Sequence, residues 1–126
     1  MDIQKVIEDI KTKYPGKKIV VTEEGEYQEV VCEIEPSSIN PQRSVAVAVV
    51  GKSKPHSHKK TAEVYEVIKG ELTLYIEGKK HVLREDEAFE IMPGAVHSAE
   101  GNEVWFYVYS TPGWTPDDTF PALYQD

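Results

Sequence analysis

Cysteine is nearly absent from the chain. Cys32 is the only one, so no intrachain disulfide can form and the fold needs no oxidising compartment. Long apolar runs are missing too: the longest, residues 45–50, is far short of a membrane span. The N-terminus has no apolar segment behind a basic one and carries Asp2, Glu8 and Asp9 instead, which argues against a signal peptide. Positive charge is scarce. Fourteen Lys and Arg against 22 Asp and Glu leave a net charge of −8, a poor balance for gripping a nucleic-acid backbone. There is no internal repeat and no low-complexity tract. What remains is a soluble cytoplasmic protein of 126 residues, enough for one domain with its own core.

One helix is legible. Over residues 1–14 the apolar positions Ile3, Val6, Ile7, Ile10 and Tyr14 form a single helical stripe. Asp2 is placed to cap it, Lys11 and Lys13 suit its negative end, and Pro15-Gly16 stops it. Such a helix packs on the outside of something larger or on a partner subunit. Thereafter the chain reads as β, with strands expected at 18–22, 27–34, 44–50, 63–68, 71–76, 81–84, 88–91 and 103–110. Turn residues separate them, among them Lys69-Gly70, Glu77-Gly78, Pro93-Gly94 and Gly101-Asn102. No helical segments alternate with these strands, which excludes a parallel βαβ sheet and leaves a sandwich or barrel. The expected organisation is a helix at 1–16, a β-barrel at 17–110 and an extended arm at 111–126. The arm alternates Pro112, Pro116 and Pro121 with Trp114, Phe120 and Tyr124, so aromatic anchors should hold it over a sheet edge or a neighbouring subunit.

Only four histidines occur: His56, His58, His81 and His97. His56-Ser57-His58 on an extended segment points two imidazoles to the same side. Glu63 follows five residues later, an odd offset, so residues 59–62 must turn or bulge for its carboxylate to join them. His97 follows a Pro93-Gly94 turn that can return the chain to the same place. Three neutral imidazoles and one carboxylate suit a divalent transition metal (Mn, Fe, Co, Ni, Cu or Zn) and suit Mg or Ca poorly. His81, beside a hairpin turn, reads as a surface residue, and Cys32 as a small buried filler.

This pattern resembles the cupin family. Gly51-(x)4-His56-x-His58-(x)4-Glu63-(x)6-Gly70 is similar to the family's first motif, and Asp86-Glu87-Ala88-Phe89-Glu90-Ile91-Met92-Pro93-Gly94-Ala95-Val96-His97 to its second. Fifteen residues, 71–85, separate them, as in small single-domain cupins. Asp86 stands where the second motif usually opens with Gly, and Asp tolerates the same left-handed turn. The resemblance implies an all-β double-stranded β-helix, or jelly roll, with a metal in the barrel mouth held by His56, His58, Glu63 and His97. Residues 109–118, with the acidic pair Asp117-Asp118, look like the strand exit of cupin domains related to mannose-6-phosphate isomerase.

Two features bear on the ligand. Lys52, Lys54, Lys59 and Lys60 surround the histidine pair with no acid among residues 51–60. They form either a basic collar that draws an anionic small molecule, such as a sugar phosphate or carboxylate, or a plain solvated loop. Tyr65 shares the face of Glu63 and is a candidate catalytic proton donor or, equally, a packed core residue. Along residues 104–109 both faces are apolar, which predicts cover on both sides and favours a homodimer. Three activities fit the metal site: an enzyme acting on a small sugar, sugar phosphate or organic acid, with isomerisation favoured; a metal-dependent dioxygenase; and a binding domain without turnover.

Overall fold

The computed structural model describes residues 1–122. Helix α1 (Ile3–Lys13) begins where the pattern places it, with the Asp2 carboxylate accepting a hydrogen bond from the Lys5 amide at 3.1 Å. Lys11 and Lys13 occupy its last turn. Val6 and Ile10 are 1% and 0% exposed, so the helix buries its stripe inside the same chain.

Among the described residues ten strands follow: β1 (Lys18–Glu24), β2 (Tyr27–Glu35), β3 (Ser44–Lys52), β4 (His56–Ser57), β5 (Ala62–Lys69), β6 (Leu72–Ile76), β7 (Lys79–Leu83), β8 (Ala88–Ile91), β9 (His97–Thr111) and β10 (Phe120–Pro121). They form one curled antiparallel sheet in the order β1-β2-β3-β9-β4-β10, with β5 joined to β8 and β9, and β6 joined to β7 and β9. This is the jelly-roll barrel expected of the sequence.

Strand β9 is the spine of the barrel. Its first residues, His97 to Glu100, pair with β6, while residues from Val104 onward pair with β3 and those from Trp105 onward with β5 as well. The change of partners falls at Gly101-Asn102. The sequence predicts a turn there and a strand starting at 103. The structure instead has a bend inside one 15-residue strand, with Glu103 at φ 57°. A side chain at 101 would meet the Glu71 carbonyl oxygen at 2.8 Å, which accounts for glycine at that position.

Two cores lie on either side of β2, β3 and β9. Ala48, Val50, Val67, Leu72, Leu74, Ile91, Val104 and Phe106 fill the barrel interior. Val30, Cys32, Val47, Val49 and Trp105 face outward and are covered by Val6 and Ile10 of α1. The doubly apolar β9 is therefore covered within one chain: Val104, Phe106 and Val108 point in, and Trp105 and Tyr107 lie on the helix side. Lys13 Nζ sits 4.8 Å from the Trp105 ring.

The arm folds back over the barrel mouth. The Ser37 hydroxyl donates to the Trp114 carbonyl at 2.8 Å, and the Trp114 amide donates to Ser44 Oγ at 2.9 Å. A 3₁₀ turn, Pro116–Asp118, leads into β10, which pairs with the free edge of β4. Phe120 anchors that strand beneath Lys59, whose Nζ lies 4.4 Å from the ring. Tyr124 lies outside the described residues. Among those described, no helix is long and apolar enough to cross a membrane.

Because Ile10 is fully buried between helix and sheet, Ile10→Ala should lower the unfolding free energy by about 2–5 kcal/mol in a urea melt. A loss below about 1 kcal/mol would mean that α1 does not seal this core.

Candidate metal centre

Four side chains from separate stretches of chain converge at one end of the barrel. His56 lies in β4 directly across from His97, the first residue of β9. His58 follows β4, and its carbonyl accepts a 2.6 Å hydrogen bond from the Gly94 amide, which ties the turn before His97 to the histidine pair. Glu63 sits in β5 between Ile91 of β8 and Ser110 of β9. The chain does turn between His58 and Glu63, as the odd spacing requires. What holds the turn is Asp118: its carboxylate accepts from the amides of Lys59, Lys60 and Thr61 at 3.0, 3.1 and 3.2 Å.

Each imidazole is oriented by a backbone carbonyl. His56 Nδ1 lies 2.8 Å from the Lys54 oxygen, His58 Nδ1 2.9 Å from that of Asp118, and His97 Nδ1 2.9 Å from that of Ala95. A carbonyl can only accept, so each Nδ1 carries the proton and each neutral ring presents a bare Nε2. The ligand atoms of His56, His58, Glu63 and His97 all lie within 4.8 Å of one another. His58 Nε2 and His97 Nε2 both stand 3.2 Å from Glu63 Oε1. None of these three buried atoms has a properly directed hydrogen-bond partner. Three buried, unsatisfied polar atoms aimed at one point are costly in a folded protein, and a cation among them would satisfy all three. The donors present therefore fit a divalent metal, and three nitrogens with one oxygen fit a transition ion.

The protonation equilibria of His56 and Glu63 favour their metal-binding forms. Burial, helped by the neighbouring His97, lowers the His56 pKa to about 4, which keeps that ring neutral. Burial raises the Glu63 pKa, but the two facing imidazoles outweigh it and bring the carboxyl down to about 2. For His58 burial pulls down while Glu63 and the Asp118 carbonyl pull up, and the net shift is upward.

A cavity of about 400 Å³ opens beside the cluster. His56, His58, Glu63 and Tyr65 line one part of it, and Val31, Ala46, Ala48, Phe106 and Val108 give it apolar walls. The Tyr65 ring meets His97 edge-on at 6.1 Å and lies against Phe106 at 4.8 Å, so it is both packed and pocket-facing. Burial, reinforced by the charges of Glu63 and Glu29, pushes its hydroxyl well above the ordinary value, leaving it a proton-bearing donor.

Glu29 is the wall residue that sequence reasoning missed. Its signal was the alternation of β2: Val30 and Cys32 pack beneath α1, so Glu29, Val31 and Glu33 must face the cavity. Burial pushes the Glu29 carboxyl up to about 7; the charge of Glu63 adds to the rise and His97 opposes it. The lysine collar looks different in three dimensions. Lys52 is paired with Glu26, and Lys54 with Glu24 at 2.6 Å, both acids coming from the β1–β2 hairpin. His81 stacks on Phe89 at 4.4 Å and takes no part in the cluster.

No curated protein matches the chain in sequence. Solved structures match it in fold. Streptomyces Pac13, a nucleoside dehydratase with variant structures containing uridine, superposes with a TM-score of 0.72 at 10% identity, over 86% of this chain and 88% of Pac13. The polyketide cyclase RemF from Streptomyces resistomycificus gives 0.69 at 15% identity, over 90% and 84% of the two chains. Bacillus subtilis oxalate decarboxylase OxdC gives 0.69 at 18% identity, over 86% of this chain but only 31% of its own. At such identities the likeness is one of fold. The family model described as a cupin domain matches residues 44–108, more than half of the sequence and the stretch that carries all four converging side chains. The chain thus belongs to the cupin family.

Proposed function

We propose that the protein is a metal-dependent enzyme acting on a small sugar-like or organic molecule, with His56, His58, Glu63 and His97 as the metal ligands. The observation that carries this reading is the set of buried, unpartnered atoms on His58, Glu63 and His97 beside a cavity large enough for a small ligand. A divalent ion held there supplies a Lewis acid for a ligand oxygen and lowers the pKa of a bound water. The chain's own groups supply the rest. Tyr65 offers a hydroxyl proton at the cavity wall, and Glu29 is a carboxyl whose pKa of about 7 suits proton transfer near neutrality. Two proton-handling groups beside a metal support isomerase-type or elimination chemistry, in which protons move between neighbouring atoms of the ligand, over oxygen chemistry. The neighbours in fold include a dehydratase, a cyclase and a decarboxylase, all acting on small molecules. The resemblance of residues 109–118 to the mannose-6-phosphate isomerase group is a weaker support, because Asp118 has a local task in holding the loop at 59–61.

A homodimer belongs to the same proposal. Its support is edge strand β1, where Val20 and Val21 are 43% and 42% exposed. Light scattering at micromolar concentration should give twice the chain mass of 14.2 kDa; a monomer mass would remove the dimer.

His58→Ala should strip most of the bound metal, since one of four donors is lost; elemental analysis of protein purified without chelator reads this directly, and equal content in variant and wild type would refute the site. Asp118→Asn leaves every donor in place but frees the loop that carries His58. It should weaken metal binding about 10–100-fold in a chelator competition.

A further inference from the structure

The cavity wall carries four carboxylates, from Glu29, Glu33, Glu35 and Glu63, against one lysine, Lys54. Most of these charges have partners. Glu33 pairs with Lys18 at 3.6 Å, Glu35 with Arg43 at 3.8 Å and Lys54 with Glu24 at 2.6 Å, while Glu63 belongs to the histidine cluster. Glu29 is different: among the described residues it has neither an ion pair nor a hydrogen bond. It comes from β2, a strand that contributes none of the four converging side chains. Tyr65 lines the same wall, is only 6% exposed, and its hydroxyl has no hydrogen-bond partner among the described residues. Glu29, Glu63 and Tyr65 all line this one cavity.

We propose that Glu29 and Tyr65 together form the ligand-recognition pair of this cavity, selecting an uncharged molecule bearing a hydroxyl group over its phosphorylated counterpart. An alcohol hydroxyl both donates and accepts. It satisfies the Glu29 carboxylate and the Tyr65 O–H at once. A phosphate monoester removes the hydroxyl that is esterified and brings negative charge to a wall already carrying the carboxyl groups of Glu29 and Glu63. Lys54, the one lysine on the cavity wall, is already paired with Glu24. The inference deepens the function proposed above, because it takes the cavity beside the histidines as the ligand site.

The test uses the full chain, zinc-loaded and chelator-treated, with D-ribose, D-glucose and glycerol, each beside its phosphate monoester. Affinities are read by NMR titration. At least one uncharged compound should bind the wild type more tightly than its ester. Glu29→Gln should weaken that compound roughly tenfold or more, leave zinc content unchanged and leave the ester no weaker, because a charged hydrogen bond is lost only on the hydroxyl side. Should Glu29→Gln fold poorly, Glu29→Asp withdraws the carboxylate by one methylene and should shift the preference in the same direction. Tighter binding of the esters by the wild type, no binding of any of the six compounds, or an unchanged preference in the Glu29 variants would overturn the proposal. If zinc does not load but the preference and its loss in the variants persist, the recognition pair stands and the metal reading falls.

Discussion

The capture of three imidazole Nδ1–H groups by three backbone carbonyls is the constraint on which the site depends. Lys54, Asp118 and Ala95 each fix one ring, and each leaves the Nε2 of the neutral ring as the free donor. Backbone acceptors are rigid in a way side chains are not. The rings need no rearrangement to meet a cation, and the site's geometry is inherited from strand pairing: His56 opposite His97, with Glu63 delivered by the adjoining sheet. Asp118 couples the arm to this arrangement twice over. Its carbonyl holds His58, and its carboxylate gathers the three amides of the turn that brings Glu63 around. The arm is thus part of the site's scaffold, and β10 secures it by closing the edge of β4.

A division of faces makes room for the cavity. Along β2, β3 and β9 one set of alternate residues packs under α1 and the other faces the barrel interior. The helix absorbs the apolar surface of the outer face, and the inner wall at the open end is then free to carry polar groups without the sheet losing its packing. Small residues Ala46 and Ala48 on the inner face of β3 leave the space. Glu29, Glu33 and Glu35 can stand on the inner face of β2 because the other face, with Val30 and Cys32, supplies the burial.

Much of this was legible in the sequence. The helix, its cap, the β class and the four converging residues followed from periodicity, from His-x-His on an extended segment and from the resemblance to the cupin motifs. Asp86 adopts the left-handed conformation foreseen for it, at φ 71°. What was not legible depends on contacts distant along the chain. Gly101-Asn102 looked like a turn because a bend where a strand changes partners uses the same residues as a hairpin. The β4 and β10 strands are only two residues each and carry no pattern of their own. The pairing of two collar lysines, Lys52 and Lys54, was hidden because Glu26 and Glu24 lie some thirty positions earlier in the chain and meet them only once β1 and β2 fold alongside. Glu29 was hidden for a related reason. An acid in a strand usually marks the solvent face, and only the helix covering the opposite face turns it inward.

Charge on the cavity wall has a consequence for chemistry as well as recognition. Were a divalent cation held by three neutral imidazoles and one carboxylate, the cluster would carry one positive charge, and an ionised Glu29 would bring the local sum to zero. In that balance Glu29 can release or take a proton without leaving a large net charge in a partly apolar cavity, where an unpaired charge is costly. Tyr65 does not share that part, since its hydroxyl is pushed well above its ordinary value and keeps its proton near neutrality. On the proposed function the two residues are therefore not interchangeable: Tyr65 keeps its proton, whereas Glu29, at about 7, can change protonation near neutrality.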